Sequence, residues 1–136
     1  FSMTGQRRDL NREKFRSENL LAFLNNPESN ANKNLKYLSN AMDVRSELKQ
    51  FHPCSEMKCL SKGRSDIVVI KRSKGPESVF AIHNMTENKI NYQLNDNDLP
   101  KIIDNDFNAQ DFLTSTKYNY KNIILDPFQV IWLSAL

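Results

Sequence analysis

Two observations on apolar period and one on the end of the chain predict an α+β protein: helices first, then an antiparallel β-sandwich. The apolar period is helical as far as Gln50 and turns to the alternation of strands from Met57 onward. From there, short apolar runs recur with Gly, Pro and Asn punctuation between them. The final stretch, residues 122–136, holds the only tryptophan, Trp132, with the β-branched Ile123, Ile124, Val130 and Ile131. A terminus that apolar is expected to be tied into a sheet, with Trp132 buried against the sandwich.

The elements follow in order. Residues 1–16 read as a polar loop with a turn signal at Thr4-Gly5, and Ser17 is placed to cap a short apolar helix carrying Leu20, Leu21, Phe23 and Leu24. Asn25-Asn26 ends it, and Pro27 suits the first position of the next helix. That helix is expected to start between Pro27 and Asn30 and to run to Gln50, since Leu35, Leu38, Ala41, Val44, Leu48 and Phe51 recur at steps of three or four. Pro53 disfavours helical geometry in His52 and closes it. Strands are expected over residues 65–72 and 78–84, joined by the hairpin signal Ser73-Lys74-Gly75-Pro76, and over residues 89–94. Residues 95–106 form an acidic, Asn-rich connection, residues 111–114 a short edge strand and residues 115–120 a second connection. The closing stretch reads as a strand pair, residues 121–125 and 128–134, cornered at Pro127, which cannot donate to a ladder.

Composition bounds the function classes. At 136 residues and 15.8 kDa the chain holds one ordinary core, or a small domain plus a piece of another. It opens on Phe1, so a fragment or processed product is expected, and no apolar run nears the roughly 20 residues of a membrane span. A soluble, cytoplasmic protein with no membrane partner is the expectation, and Cys54 and Cys59 are then reduced thiols. Residues 1–74 carry 15 Lys/Arg against 8 Asp/Glu, and residues 75–136 carry 4 against 8. The basic cluster Arg7, Arg8, Arg12, Lys14 and Arg16 raises a nucleic-acid arm as one reading. Asp9 and Glu13 interrupt it and no zinc-finger or aromatic RNA motif accompanies it, so no nucleic-acid partner is expected.

Chemistry-bearing patterns are few. Phosphate-cradling Gly-rich loops, the Gly-x-Ser-x-Gly elbow and His-Glu-x-x-His are missing, and no cofactor or metal is expected. His52 and His83 sit at element ends, where a histidine more often caps or packs than reacts. Asp96, Asp98, Asp104 and Asp106 cluster in a polar stretch without the apolar surroundings that raise a carboxyl pKa, so a solvated, mobile loop is expected. Asn84-Met85-Thr86 fits the glycosylation pattern, a chance match in an Asn-rich chain.

Thr4-Gly5-Gln6-Arg7-Arg8-Asp9-Leu10-Asn11-Arg12 resembles the Thr-Gly-x-x-Arg-x-Ile-Asn-Arg segment of sucrose phosphorylases and their relatives in the α-amylase superfamily. Val44-Arg45 followed by Phe51-His52-Pro53 is similar to that family's end of the last barrel helix, and Val79-Phe80-Ala81-Ile82 through Asn84-Met85-Thr86 to a strand and turn of its C-terminal domain. Leu125-Asp126-Pro127-Phe128-Gln129-Val130-Ile131-Trp132-Leu133 resembles its terminal Leu-x-Pro-Tyr-Gln-x-x-Trp-Leu, with Phe128 in place of the tyrosine.

The resemblance implies that residues 1–53 are the end of a (β/α)8 catalytic barrel, its loop and last helices, and that residues 54–136 are the C-terminal antiparallel β-sandwich domain. It implies a glycoside phosphorylase that transfers a glucosyl unit reversibly between sucrose or a related glucoside and phosphate. The nucleophile, acid/base and stabilising carboxylates of such an enzyme belong to earlier strands, so the chain holds no catalytic residue and is expected to be inactive alone. Anchored on Asn11-Arg12, Arg8 takes the position of the arginine that contacts the acceptor sugar or phosphate, with Arg7 as substitute in another loop register. The implied partners are a carbohydrate substrate, inorganic phosphate and the remainder of the barrel. The rival readings are the basic nucleic-acid arm and a stand-alone carbohydrate-binding or structural β domain, which needs an exposed aromatic platform from Tyr92, Tyr118 and Tyr120.

Overall fold

The computed structural model describes residues 16–61, 63–99 and 108–135, in two compact units divided between residues 40 and 41. Arg7 and Arg8, with Asp104 and Asp106, lie outside the described residues.

The first unit holds helix α1, Ser17–Asn25, and the start of α2, Asn30–Glu47. Ser17 is the first helical residue rather than the cap; Arg16 takes the cap position and no side chain bonds there. The cap between the helices is Ser29, whose Oγ accepts from Asn32 N at 3.0 Å and donates to Asn26 O at 2.9 Å, so one hydroxyl serves the end of α1 and the start of α2. Amphipathic spacing formed the helices, yet little covers them. Within this unit Leu20, Leu21, Phe23, Leu35 and Leu38 are all exposed.

The second unit starts with the last turns of α2, which stops at Glu47 and tightens into a 3₁₀ turn, Lys49–Phe51. Eight strands follow: β1 Glu56–Cys59, β2 Ile67–Lys74, β3 Glu77–Asn84, β4 Ile90–Tyr92, β5 Asn108–Gln110, β6 Lys117–Asn119, β7 Ile123–Leu125 and β8 Val130–Ala135. They form a four-stranded antiparallel sheet in the order β1-β2-β3-β8 and two ribbons, β4-β7 and β5-β6. The β2–β3 hairpin turns where the sequence predicts, with Lys74 opposite Glu77 and Gly75 at φ 61° in the first central position. β1 fell outside the expected strands. The closing stretch divides differently from the expected pair: β7 joins β4, whereas β8 pairs β3, so the corner at Pro127 passes the chain from one layer to the other.

The core lies between one face of the large sheet and the ribbons. Ile67 and Val69 of β2, Phe80 and Ile82 of β3, and Ile131 and Leu133 of β8 point into it. From the other side come Tyr92, Leu94, Leu99, Ala109, Tyr120, Ile123 and Leu125. Register explains the composition, since Val69, Ile82 and Ile131 form one cross-strand row and all three are fully buried.

Two buried polar side chains tie loops to this frame. Asp111, expected to open an edge strand, is a single bridge residue opposite Leu133, and residues 112–114 are a turn. Its carboxylate accepts from Trp132 N at 2.7 Å, Leu113 N at 3.2 Å and Thr114 Oγ1 at 2.6 Å, which accounts for its burial. Asn84 ends β3 and uses its whole amide: Nδ2 donates to Asn88 O at 2.7 Å and Asp126 O at 2.8 Å, and Oδ1 accepts from Thr86 N and Thr86 Oγ1.

Candidate functional site

Pleating sends alternate residues of β2, β3 and β8 to the face opposite the core, and there the rows are Val68, His83 and Val130, then Ile70, Ala81 and Trp132. A face meant for water would alternate to polar residues; these rows are mostly apolar. Only the 3₁₀ turn after α2 approaches it. Phe51 stacks on Trp132 with ring centroids 4.6 Å apart and a 44° tilt. Trp132 is therefore half-buried on the outer face, a correction to its expected place in the sandwich core.

Arg72 holds the turn in place. Its Nε donates to Gln50 O at 3.1 Å and its Nη2 to His52 O at 2.7 Å, taking up carbonyls that the end of the helix leaves free. Gln50 Nε2 donates to Glu77 Oε2 at 2.8 Å, and Ser55 Oγ to Lys49 O at 2.9 Å. Beside this clamp lies a recess of about 280 Å³ lined by Arg45, Phe51, Met57, Ile70, His83 and Trp132 among others. Burial lowers the His83 pKa below its ordinary 6.5. Among the described residues the side chains of Arg45 and His83 have no hydrogen-bond or ion-pair partner. No nucleophile stands beside a base in this recess, so the arrangement is suited to holding an apolar surface rather than to reacting with one.

The other sequence candidates are structural where they are described. His52 Nδ1 accepts from Cys54 N at 3.1 Å and so closes the turn before β1. Cys54 and Cys59 are free, exposed thiols. Asp98 is not part of a loose solvated loop: Lys58 Nζ lies 2.6 Å from its carboxylate, and Lys71 Nζ donates to its carbonyl at 2.7 Å. Tyr92 and Tyr120 are in the core, and Tyr118 is half-buried with its hydroxyl accepting from Gln129 Nε2 at 3.0 Å, so these three make no exposed platform. Among the described residues no three His, Cys, Asp or Glu are grouped to hold a metal ion, and no helix is long and apolar enough to cross a membrane. Sequence reasoning missed Asp111 and the Arg72 clamp. The local pattern Asp111-Phe112-Leu113-Thr114 carried a turn signal, whereas the clamp depends on a contact 22 residues distant.

Three stretches that carried the family resemblance meet around this sheet. β3 and β8 pair along their length, Asn84 bonds Asp126, Phe128 N donates to Thr86 O at 3.0 Å, and residues 50–52 are held by Arg72. Phe128 is exposed and sits at φ 55°.

No family model and no curated protein matches the chain. Solved structures do. Trehalose-6-phosphate hydrolase of Bacillus licheniformis is similar at 19% identity with a TM-score of 0.60, over 85% of this chain and 20% of that one. A mutant of MutB in complex with the substrate sucrose is similar at 13% identity and a TM-score of 0.63, over 84% and 19%. An Anoxybacillus α-amylase is similar at 15% identity and a TM-score of 0.61, over 80% and 23%. The chain spans about a fifth of the length of these structures. At such identities the likeness concerns the fold, and the fold of this chain is that of a segment of α-amylase-family glycoside hydrolases, its antiparallel sheets compatible with their C-terminal β domain.

Proposed function

We propose that this chain is the C-terminal part of a sucrose-phosphorylase-like glycoside phosphorylase, with residues 1–53 closing a (β/α)8 barrel and residues 54–136 forming the β domain behind it. One observation carries the reading: three motifs that resemble the family in sequence converge on a fold shared, over four fifths or more of the chain, with enzymes of the α-amylase family. The printed names of those enzymes include a hydrolase of trehalose 6-phosphate and one crystallised with sucrose, which supports a glucoside as substrate class.

In the whole enzyme a barrel carboxylate attacks the anomeric carbon of the glucoside, the glycosidic bond breaks and the acceptor leaves with a proton from the acid/base. Phosphate then attacks the glucosyl-enzyme and glucose 1-phosphate departs. Active sites of such barrels lie on the loops that follow the strands. The part this chain plays is to bring Arg8, or Arg7 in the other register, to the acceptor side, where a guanidinium fork binds phosphate in bidentate fashion. The enzyme works in the cytoplasm.

Extending the reading frame upstream and assaying the product tests this. The chain alone releases no glucose 1-phosphate from sucrose and phosphate; the extended protein does. In it, Arg8→Ala lowers phosphorolysis at low phosphate by roughly 10- to 150-fold, the equivalent of about 1.5 to 3 kcal/mol, while glucosyl-enzyme formation survives. Release of free glucose without glucose 1-phosphate would leave a glycosidase and end the phosphorylase assignment.

A further inference from the structure

The outer face of the four-stranded sheet is unfinished in a way that its chemistry specifies. Trp132, Ile70 and Val68 stand half-open, and Met57 at the edge is 67% exposed. The same surface continues onto the last turns of α2, where Met42 is 68% exposed and Arg45 has no partner among the described residues. Water does not suit it, because apolar side chains occupy the positions that a solvated face gives to polar ones. A small ligand suits it poorly too, since the recess is one part of a broader apolar strip running from Met42 past Phe51 to Met57 and Trp132.

We infer that this strip, Met42, Arg45, Phe51, Met57, His83 and Trp132, is the surface on which the catalytic body of the same polypeptide docks. The inference rests on the proposed function and deepens it by assigning the contact to named residues. Two observations select that occupant over a second copy of the chain. Proteins with this fold are about five times as long, so a body large enough to cover the strip accompanies the fold where it is solved. Arg45 at the rim requires a carboxylate to complete a desolvated pair, and the strip offers none on its own lining, which argues against a self-complementary contact of this face with itself. The Arg72 clamp gives the surface its shape. By fixing the 3₁₀ turn, it sets Phe51 against Trp132 and makes helix end and sheet one continuous wall.

Methionine oxidation tests this without any substitution. Met42, Met57 and Met85 are all exposed in this chain, and Met85 lies beyond the end of β3, off the strip. With dilute hydrogen peroxide and mass-spectrometric readout, all three oxidise readily in the chain alone. In the polypeptide extended upstream, Met42 and Met57 are protected severalfold and Met85 reacts as before. Equal oxidation of all three in an extended, catalytically competent protein overturns the docking surface and leaves the proposed function standing. Protection of Met42 and Met57 in the chain alone, with sedimentation as a dimer, assigns the strip to a second copy and overturns the inference. An upstream frame that encodes no barrel removes the occupant, and both readings fall together.

Discussion

Along β2, β3 and β8, the row Val69, Ile82 and Ile131 is sealed, while the adjacent row Ile70, Ala81 and Trp132 is closed at its centre and half-open at both ends. The residue types barely differ. What differs is the cover: two ribbons and their connections over the first face, a three-residue turn and the end of a helix over the second. Strand composition thus records how many faces are to be covered, and the burial actually reached records what is there to cover them.

The largest test of that contrast is a pair of truncations. Phe80→Ala, on the sealed face, should cost about 3–5 kcal/mol in urea unfolding, the range for a large buried aromatic whose cavity cannot collapse. Trp132→Ala, on the open face, should cost roughly 1–2 kcal/mol, since part of its surface is already wet. Equal losses would mean that the outer face is as closed as the inner one. Next in size is Asp111→Ala, which leaves the Trp132 and Leu113 amides and the Thr114 hydroxyl without their acceptor and should cost about 2–3 kcal/mol. Asp111→Asn keeps one acceptor oxygen and should recover part of it.

The smallest effects are in the pH dependence, one group from each face. Burial pushes the Tyr120 phenol, in the core, from 10.0 up to about 12. A raised folded pKa means that this contribution to stability is complete below pH 10 and disappears as the pH rises through about 12. His83, on the outer face, is shifted down from 6.5 by burial, so its contribution is present above pH 6.5 and is lost as the pH falls below it. Tyr120→Phe should flatten the alkaline arm of the stability profile and His83→Gln the weaker acid arm. In a protein whose outer face is covered, the acid arm should steepen, because further desolvation of His83 lowers its pKa again.

Strands β2 and β3 were legible because local signals agreed: apolar runs at residues 65–72 and 78–84 flank a Gly-Pro turn, and the observed strands differ only at their ends. β1 was illegible because all four of its residues are exposed, so no alternation marks it. The ribbon β5-β6 was missed for a related reason, its strands being three residues each with a single buried residue between them, Ala109. The stripe on α2 was read correctly as a period, yet Leu35 and Leu38 are exposed, because period tells which side is apolar and not whether anything lies against it. The recess could not be read at all. Its walls come from α2, the 3₁₀ turn and four strands, and only the register of Ile70 with Ala81 and of Ala81 with Trp132 brings them together.

The amide of Asn84 also sets a clock. It stands in the acceptor position of Asn84-Met85-Thr86, the tripeptide on which secretory pathways attach sugars, and in the folded chain both of its N–H bonds are committed to the carbonyls of Asn88 and Asp126. Asp126 arrives 42 residues later in the chain, so the nitrogen is reachable only until the last strand has been delivered and the turn beside β3 has closed. If the chain were routed through such a pathway, the fraction carrying a glycan would report a race between the transferase and the docking of its own C-terminus. Slowing that final step would raise occupancy, and every modified molecule would be one that can no longer close the turn.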